Sequence, residues 1–284
     1  MLYVNNNGEI LDGSGYTIKT GNRAFLYGDG VFESIRIRNG KTLNLENHVK
    51  RMLEGARQLK MRPPSYYNLE FFAGKIDELI HKSGIVSGGK CRISLDRAIG
   101  GTYMPEANEV EYFIEVYPLE NNQFELNPKG KEVDIYMDLK KEKTFLSNFK
   151  TKSGLIYVVA AISAREKGLD DYLLTNYSGG ILESTNSNLF VVSNGVLYTP
   201  GLEEGCLAGT MRMQVINLAL QNNIKVYECN ILPQNLLVAD EIFLTNAIHG
   251  IQWVSGYRTK RYFNTTARKL VEILNAYWTE EVNS

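Results

Sequence analysis

The period of apolar and polar positions changes several times along the chain, and each change predicts an element. Val31 to Arg38 alternates, which is the pattern of a half-buried strand with Ile35 and Ile37 on one side and Phe32 on the other. Leu45, Val49, Met52, Leu53, Ala56 and Leu59 then recur at helical spacing after Asn44, a residue type that caps helices. Leu69, Phe72, Ile76, Leu79 and Ile80 form a second helical stripe, with Asn68 as cap and Gly84 as stop. Cys91 to Leu95 and Val110 to Tyr117 read as strands. The run from Gly154 to Ile162 is too long for a typical strand and too short to span a bilayer, so it predicts a buried helix. Strands follow at 171–175, 188–192 and 241–245. Gly209-Thr210 opens a helix whose apolar residues include Met213, Ile216, Leu218 and Leu220. Asn264 starts a last helix with Ala267, Leu270, Val271, Leu274 and Tyr277 on one face.

Asn7-Gly8, Asn39-Gly40 and Asn194-Gly195 each separate apolar or alternating stretches. Asn-Gly supplies the positive φ angles of a tight turn, so three hairpins are expected. The polar segment between Pro118 and Lys131, with Asn121-Asn122, Pro128 and Gly130, reads as a linker. It divides the chain into an N-terminal α+β domain (1–118), a linker (119–131) and a second domain (132–284). Strands and helices intermix without regular βαβ spacing, which argues against a doubly wound sheet and for an α+β fold.

Composition narrows the classes. A chain of 284 residues holds one large domain or two of ordinary size. A net charge of −1 argues against non-specific nucleic-acid binding, which needs a basic surface. Cys91, Cys206 and Cys229 form no C-x-x-C pair, which favours a reducing, cytoplasmic setting over a disulfide framework. No zinc spacing is present, and His48, His81 and His249 lie far apart in sequence, so no metal is expected. His48 is expected to face solvent or cap locally. Met1 to Asn7 lacks a basic region followed by an apolar core, so no signal peptide is expected, and no stretch reaches 18 apolar residues.

The chemistry concentrates at Asn148-Phe149-Lys150-Thr151-Lys152, just before the apolar run. A lysine at the entrance to a buried helix either snorkels its head into water or is desolvated into a nucleophile able to form a Schiff base. Lys150 and Lys152 both stand in that place. Upstream lie Tyr27-Gly28-Asp29-Gly30-Val31-Phe32-Glu33 and His48-Val49-Lys50-Arg51. Downstream lie Glu183 to Phe190, Cys206-Leu207-Ala208-Gly209-Thr210-Met211-Arg212 and Phe243-Leu244-Thr245-Asn246-Ala247. This ordered set resembles the class IV aminotransferases, which use pyridoxal 5'-phosphate and include branched-chain aminotransferase, D-amino-acid aminotransferase and aminodeoxychorismate lyase. The resemblance runs from about Gly28 to about Val254 and implies a two-domain fold-type-IV enzyme. A smaller N-terminal α/β sandwich and a larger C-terminal pseudo-barrel are expected.

By that resemblance, Lys150 rather than Lys152 matches the Schiff-base lysine, and Glu183 matches the acid on the pyridine nitrogen. Arg51, Gly209, Thr210, Met211, Asn246 and Ala247 match the groups that hold the phosphate, drawn from both parts of the chain. Where Met211 stands the family commonly has a hydroxyl residue, so only its backbone N–H can serve. Substrate candidates are Phe32, Arg97, Thr102, Tyr103 and His249. Phe32 stands where D-specific enzymes have tyrosine, and Thr102 where they have a carboxylate-binding arginine; both argue against D-amino acids. Arg97 resembles a more widely shared arginine. Tyr157 has two readings, a contact with the cofactor's ring hydroxyl or core packing, and core packing is the stronger on a buried helix.

The resemblance implies an aminotransferase acting on a small, apolar, branched-chain-type amino acid and a 2-oxo acid. The alternative is 4-amino-4-deoxychorismate lyase, releasing pyruvate and 4-aminobenzoate from aminodeoxychorismate. Asn246-Ala247-Ile248 resembles the corresponding stretch of some of those lyases. D-amino-acid aminotransferase and a non-catalytic homologue stand behind both. A homodimer is implied as well, and neither nucleic acid nor membrane is expected as a partner.

Overall fold

The computed structural model describes residues 3–283. The reading of Met1-Leu2 as part of a stretch without a targeting signal therefore lies partly outside the described residues. The chain divides into two compact units. One runs up to Gln123 and includes Phe149–Ser153; the other takes Phe124–Asn148 and everything from Gly154 onward.

The first unit orders its elements as β1 (Tyr3–Asn6), β2 (Glu9–Asp12), α1 (Arg23–Tyr27), β3 (Gly30–Arg38), β4 (Lys41–Thr42), α2 (Leu45–Gln58), α3 (Leu69–Lys82), β5 (Gly89–Arg97) and β6 (Val110–Pro118). Its sheet is antiparallel throughout, in the order β2-β1-β6-β5-β3-β4. Both hairpins expected here are present, with Asn7 and Asn39 at positive φ ahead of Gly8 and Gly40. Ile35, Ile37, Cys91, Ile93, Leu95 and Ile114 line one sheet face and pack with Val49, Met52, Ala56, Phe72, Ile76 and Leu79 of α2 and α3. Period two on the strands and 3.6 on the helices thus meet in one core. Asn68 caps α3 by accepting from the Phe71 N–H, as its residue type predicts. Asn44 does not cap α2 with its side chain; it sits in the left-handed region and its Oδ1 accepts from Asn47.

The second unit contains β7 (Lys131–Ile135), α4 (Leu155–Glu166), β8 (Asp171–Thr175), β9 (Ile181–Ser184), β10 (Asn188–Ser193), β11 (Val196–Pro200), α5 (Thr210–Gln221), β12 (Val226–Cys229), α6 (Pro233–Val238), β13 (Glu241–Asn246), β14 (Gly250–Tyr257), β15 (Lys260–Arg261) and α7 (Thr265–Asn283). A short 3-10 turn, Leu202–Glu204, precedes α5. The strand order is β12-β11-β10-β13-β14-β7-β8-β9, and β9 also pairs with β10 through Glu183 opposite Asn188. That pairing closes the strands from β10 to β9 into a barrel, which leaves those strands no open edge. Leu173, Ile181, Leu189, Val191, Ile242, Leu244 and Val254 form its apolar core.

Two readings of this unit change. The apolar run after Lys150 is α4, but it is not a buried helix: only Ala160 and Ala164 are buried, while Leu155 is 78% and Val158 53% exposed. The length of the apolar run predicted the helix, but length cannot say whether the helix is covered. The buried side of α5 is carried by Met211, Val215, Leu218 and Ala219, while Met213 and Leu220 are exposed. Strands β7, β9, β12, β14 and β15 and helix α6 carry no expectation from the sequence; β9, at four residues, is too short to show a period. Among the described residues no helix is long and apolar enough to cross a membrane, and no cluster of His, Cys, Asp and Glu could hold a metal.

Candidate active site

Lys150 belongs to the first unit. Its segment lies along the start of β3: the Phe32 N–H donates to the Lys150 carbonyl at 2.9 Å, and the Lys152 N–H to the Gly30 carbonyl at 2.9 Å. The backbone of both lysines is thereby fixed, and their heads part. Lys152 Nζ is 2.5 Å from Asp96 Oδ1 in an ion pair. Lys150 Nζ lies over the Phe32 ring, 4.5 Å from its centroid, and the Arg92 guanidinium lies 3.8 Å from the same centroid. An aromatic ring attracts cations through its quadrupole.

On the same strand as Phe32, the next residue, Glu33, points into the core toward α2. Glu33 Oε1 accepts from Arg51 Nε at 2.7 Å and Oε2 from Arg51 Nη2 at 2.5 Å. His48, one turn before Arg51 on α2, places Nδ1 2.7 Å from Glu33 Oε2. Burial pushes the Glu33 carboxyl up, but Arg51 and the imidazole outweigh it and hold the acid at about 2. Burial is also what pushes the His48 imidazole below its ordinary range, against the pull of Glu33. A neutral His48 donates from Nδ1 to the ionised carboxylate, so Arg51 is the fully charged partner of Glu33. His48 is therefore buried, not solvent-facing as expected.

Arg97 is committed to the frame of this unit. Its Nε donates to Asp29 Oδ2 at 2.8 Å, Nη1 to Asn108 Oδ1 at 2.5 Å and Nη2 to the Leu59 carbonyl at 2.6 Å. The same Asp29 oxygen accepts from Arg23 Nε at 2.9 Å. Arg23 in turn donates to the carbonyls of Gly100 and Thr102, so this pair of arginines tethers the loop that carries Thr102 and Tyr103. Tyr103 is exposed, and its ring lies 5.5 Å from that of Tyr27.

In the second unit the sequence-predicted residues gather where β9, β10 and β13 meet. Glu183 stands one residue before the end of β9 and is 3% exposed. Its Oε1 accepts from Lys141 Nζ at 2.6 Å and from the Tyr157 hydroxyl at 2.8 Å, and its Oε2 from the Leu207 N–H at 2.7 Å. Every partner is a donor, which is the environment of a carboxylate anion. Burial, and then the Glu183 charge, push the Tyr157 hydroxyl far above its ordinary range, so it stays protonated and donates. Neither Lys141 nor the Tyr157–Glu183 bond was read from the sequence. Tyr157 stands on the helix after Lys150, but Lys141 carries no local signal because its partner is 42 positions away.

Two residues beyond Leu207, Gly209 precedes α5, whose N-terminus has no side-chain cap. The first-turn N–H groups of a helix lack intrahelical acceptors, and with the helix dipole they make such an end suited to an anion. A Cβ on Gly209 would collide with Asn188 Oδ1, so the chain approaches here as only glycine can. Thr210 and Met211, at the helix start, are both buried. Asn188 also pairs with Thr245 of β13, next to Asn246. Asn246 Nδ2 donates to Ser187 Oγ at 2.9 Å, and its Oδ1 accepts from the N–H groups of Ile248 and His249 at 3.0 and 2.8 Å. Asn246 thus shapes the turn holding Ala247, while His249 is exposed.

Residues 30–257 match the family model for amino-transferase class IV. A Methanocaldococcus jannaschii protein assigned as a branched-chain-amino-acid aminotransferase is 27% identical over 248 residues, covering 84% of this chain and 82% of its own length. An aminodeoxychorismate lyase of Vibrio harveyi is 25% identical, over 84% of this chain and 87% of its own. The crystal structure of a branched-chain aminotransferase from Thermoproteus uzoniensis, with norvaline, superposes with a TM-score of 0.88 at 24% identity, over 95% of this chain and 92% of that one. The match takes in the Lys150 segment, Glu183, the loop into α5 and the Asn246 turn alike, and the chain belongs to the class IV amino-transferase family.

Proposed function

We propose that the protein is a pyridoxal-phosphate-dependent aminotransferase, moving an amino group between a small apolar, branched-chain-type amino acid and a 2-oxo acid. The observation that carries this reading is the Glu183 carboxylate, buried yet held by three donors and no acceptor. A carboxylate offers about four acceptor positions, and a protonated ring nitrogen suits the one that remains. The end of α5, uncapped and approached through Gly209, fits a phosphate in the same unit. The residues therefore fit the cofactor. When bound, it supplies an electron sink for the substrate Cα and carries the amino group between the two substrates.

The roles of this chain's residues follow. Lys150 provides the amine that anchors the cofactor, and its Nζ then takes the proton from the substrate Cα. Glu183 keeps the ring nitrogen protonated through a charge-assisted hydrogen bond. Thr210, Met211 and the Asn246-Ala247 turn hold the phosphate through N–H and amide donors, and Arg51 adds charge. Phe32 lines the substrate side and favours an apolar side chain. Thr102 and Tyr103 are proposed to border the substrate, and Arg97 supports them through the frame it braces.

The lyase is the second reading, favoured by the Asn246-Ala247-Ile248 turn and by the Vibrio harveyi likeness. Supplying the purified protein with amino-acid and 2-oxo-acid pairs, and separately with aminodeoxychorismate, tests both. Transfer to a 2-oxo acid supports the first reading, and release of 4-aminobenzoate with pyruvate replaces it. A homodimer is part of the proposal: the outward row Leu155, Val158 and Ile162 of α4 is apolar enough to want a cover. Sedimentation of the purified protein as a monomer would remove that part. The thiols of Cys91, Cys206 and Cys229 suit a reducing compartment such as the cytoplasm.

A further inference from the structure

Glu183 has a charged partner that the mechanism above does not use. Lys141 lies in the segment before Lys150, with its own N–H donating to the Thr175 carbonyl of β8 at 2.9 Å. Its Nζ donates to the Ser147 carbonyl at 3.3 Å and to Glu183 Oε1 at 2.6 Å. The ammonium also lies 5.8 Å from the centroid of the Tyr157 ring, whose hydroxyl shares the same Glu183 oxygen. Ser147 is itself fastened, its Oγ accepting from the Thr144 N–H and donating to the Glu142 carbonyl. Lys141 is thus anchored at the backbone and at its head, and its side chain is only 12% exposed.

The other titratable groups nearby do not replace it. Burial pushes the Cys206 thiol up to about 11, so it is uncharged at neutral pH. Arg212 spends its charge on Glu228 at 2.5 Å. Tyr157 remains a neutral donor.

We infer that Lys141 is a positioning residue for Glu183, which it holds as an anion, in one plane, against the proton on the cofactor's ring nitrogen. The inference deepens the cofactor reading and rests on it. Two proton positions compete between a carboxylate and a pyridine nitrogen. A cation in contact with the carboxylate lowers its hold on the proton and so favours the protonated ring. Without Lys141, Glu183 stays buried with only neutral donors, and the proton moves to the acid. The ring then loses the charge that makes it an electron sink.

The test uses Lys141→Met, Lys141→Gln and Lys141→Arg with two readouts. In the cofactor-free protein, chemical unfolding of Lys141→Met, Glu183→Gln and the double variant forms a cycle. A coupling of at least tenfold in the unfolding constant is expected, with the double variant less unstable than the product of the singles. In the loaded protein, nitrogen-15 NMR of ring-labelled pyridoxal phosphate reports the ring proton. Lys141→Met and Lys141→Gln should move the resonance toward neutral pyridine and weaken cofactor retention at least tenfold, whereas Lys141→Arg should keep both near wild type. An uncoupled cycle, or an unmoved resonance in both neutral variants, overturns the inference. Should the wild type take up no pyridoxal phosphate, the cofactor reading falls, and the cycle alone decides whether Lys141 fixes Glu183. If Lys141→Met does not fold, Lys141→Gln stands in for it in both measurements.

Discussion

Glu33 holds two nitrogens of Arg51 at once, Nε at 2.7 Å and Nη2 at 2.5 Å, and is itself only 1% exposed. The edge of the guanidinium that would grip two phosphate oxygens is thereby occupied by protein. Arg51 then serves a phosphate by its charge, while its removal strands a buried carboxylate. Breaking a buried pair at one end costs about 3–5 kcal/mol. Arg51→Ala should therefore lose stability by about that amount in urea unfolding. Glu33→Gln added to it should recover most of the loss, since no buried charge is left unpaired. Cofactor retention on dialysis should stay about ten- to a hundredfold weaker in both variants, matching the loss of a charged hydrogen bond of roughly 1.5–3 kcal/mol. Full retention in the double variant would take Arg51 out of the phosphate site.

The same cluster sets an acid sensitivity. The Glu33 carboxyl is held at about 2, below its ordinary 4.5. The unfolded chain takes up that proton first as pH falls, so the stability from this group is fully present above 4.5 and drains away between 4.5 and about 2. The amount is on the order of 3 kcal/mol. His48 acts in the same sense at higher pH. Burial first, and then the charges of Arg51 and Lys150, hold its folded value below the ordinary 6.5, so the unfolded state protonates first and stability starts to fall as pH drops through 6.5. Urea midpoints for wild type, Glu33→Gln and His48→Asn between pH 7.5 and 3 check both. The wild type should lose more stability than Glu33→Gln below pH 4.5, and more than His48→Asn as pH falls below 6.5. Parallel curves would mean that neither group is the sensor.

Borohydride reduction of the loaded protein, followed by peptide mapping, should place the label on Lys150. Asp96 holds the head of Lys152 at 2.5 Å and Glu183 that of Lys141 at 2.6 Å, so either ion pair would have to open before its amine could reach the cofactor. Lys150 lies instead over the Phe32 ring. Label on Lys152 would show that the Asp96 pair opens readily and that the spacing of the motif was misjudged.

The family was legible because the order and spacing of several short stretches agree, and the Asn-Gly hairpins were legible because few other pairs meet the positive φ that Asn7, Asn39 and Asn194 adopt. Asn68 could be read as a cap from its place before an apolar stripe. What escaped is whatever depends on a distant partner. Lys141 and Glu183 are 42 positions apart, and His48 and Glu33 meet from different elements. Local period records neither pairing. The exposed row of α4 escaped for a related reason. An apolar side chain signals burial only when something covers it, and the sequence names the row without naming its cover.

Glu183→Gln tests the acid directly. A neutral amide cannot hold the ring proton as a carboxylate does, though it fits the same space and its one oxygen can still accept from Lys141 and Tyr157, leaving its NH2 donor against the Leu207 N–H. The cofactor should remain bound, and kcat should fall at least about a hundredfold, on the order of 3 kcal/mol. Near-normal turnover would mean that another acid serves the ring.

The approach of Gly209 to Asn188 makes the last expectation a matter of non-additivity. The Asn188 side chain donates from Nδ2 to the Leu207 carbonyl at 2.8 Å, and its Oδ1 occupies the place a Cβ on residue 209 would take. Asn188→Ala removes that bond and opens space, at a cost of about 1 kcal/mol. Gly209→Ala on its own must push a buried carboxamide aside, losing the bond and straining the loop into α5, which is worth about 1–3 kcal/mol as overpacking. In the double variant the collision is gone, so it should be no less stable than Asn188→Ala by more than a few tenths of a kcal/mol, a clear departure from additivity. Cofactor retention supplies the second half. If the N-terminus of α5 holds the phosphate, Gly209→Ala should lose cofactor faster than wild type on dialysis, and Asn188→Ala/Gly209→Ala should regain part of the difference. Additive unfolding energies would show that the loop yields around the new methyl group. Unchanged retention in Gly209→Ala would remove the start of α5 from the phosphate site.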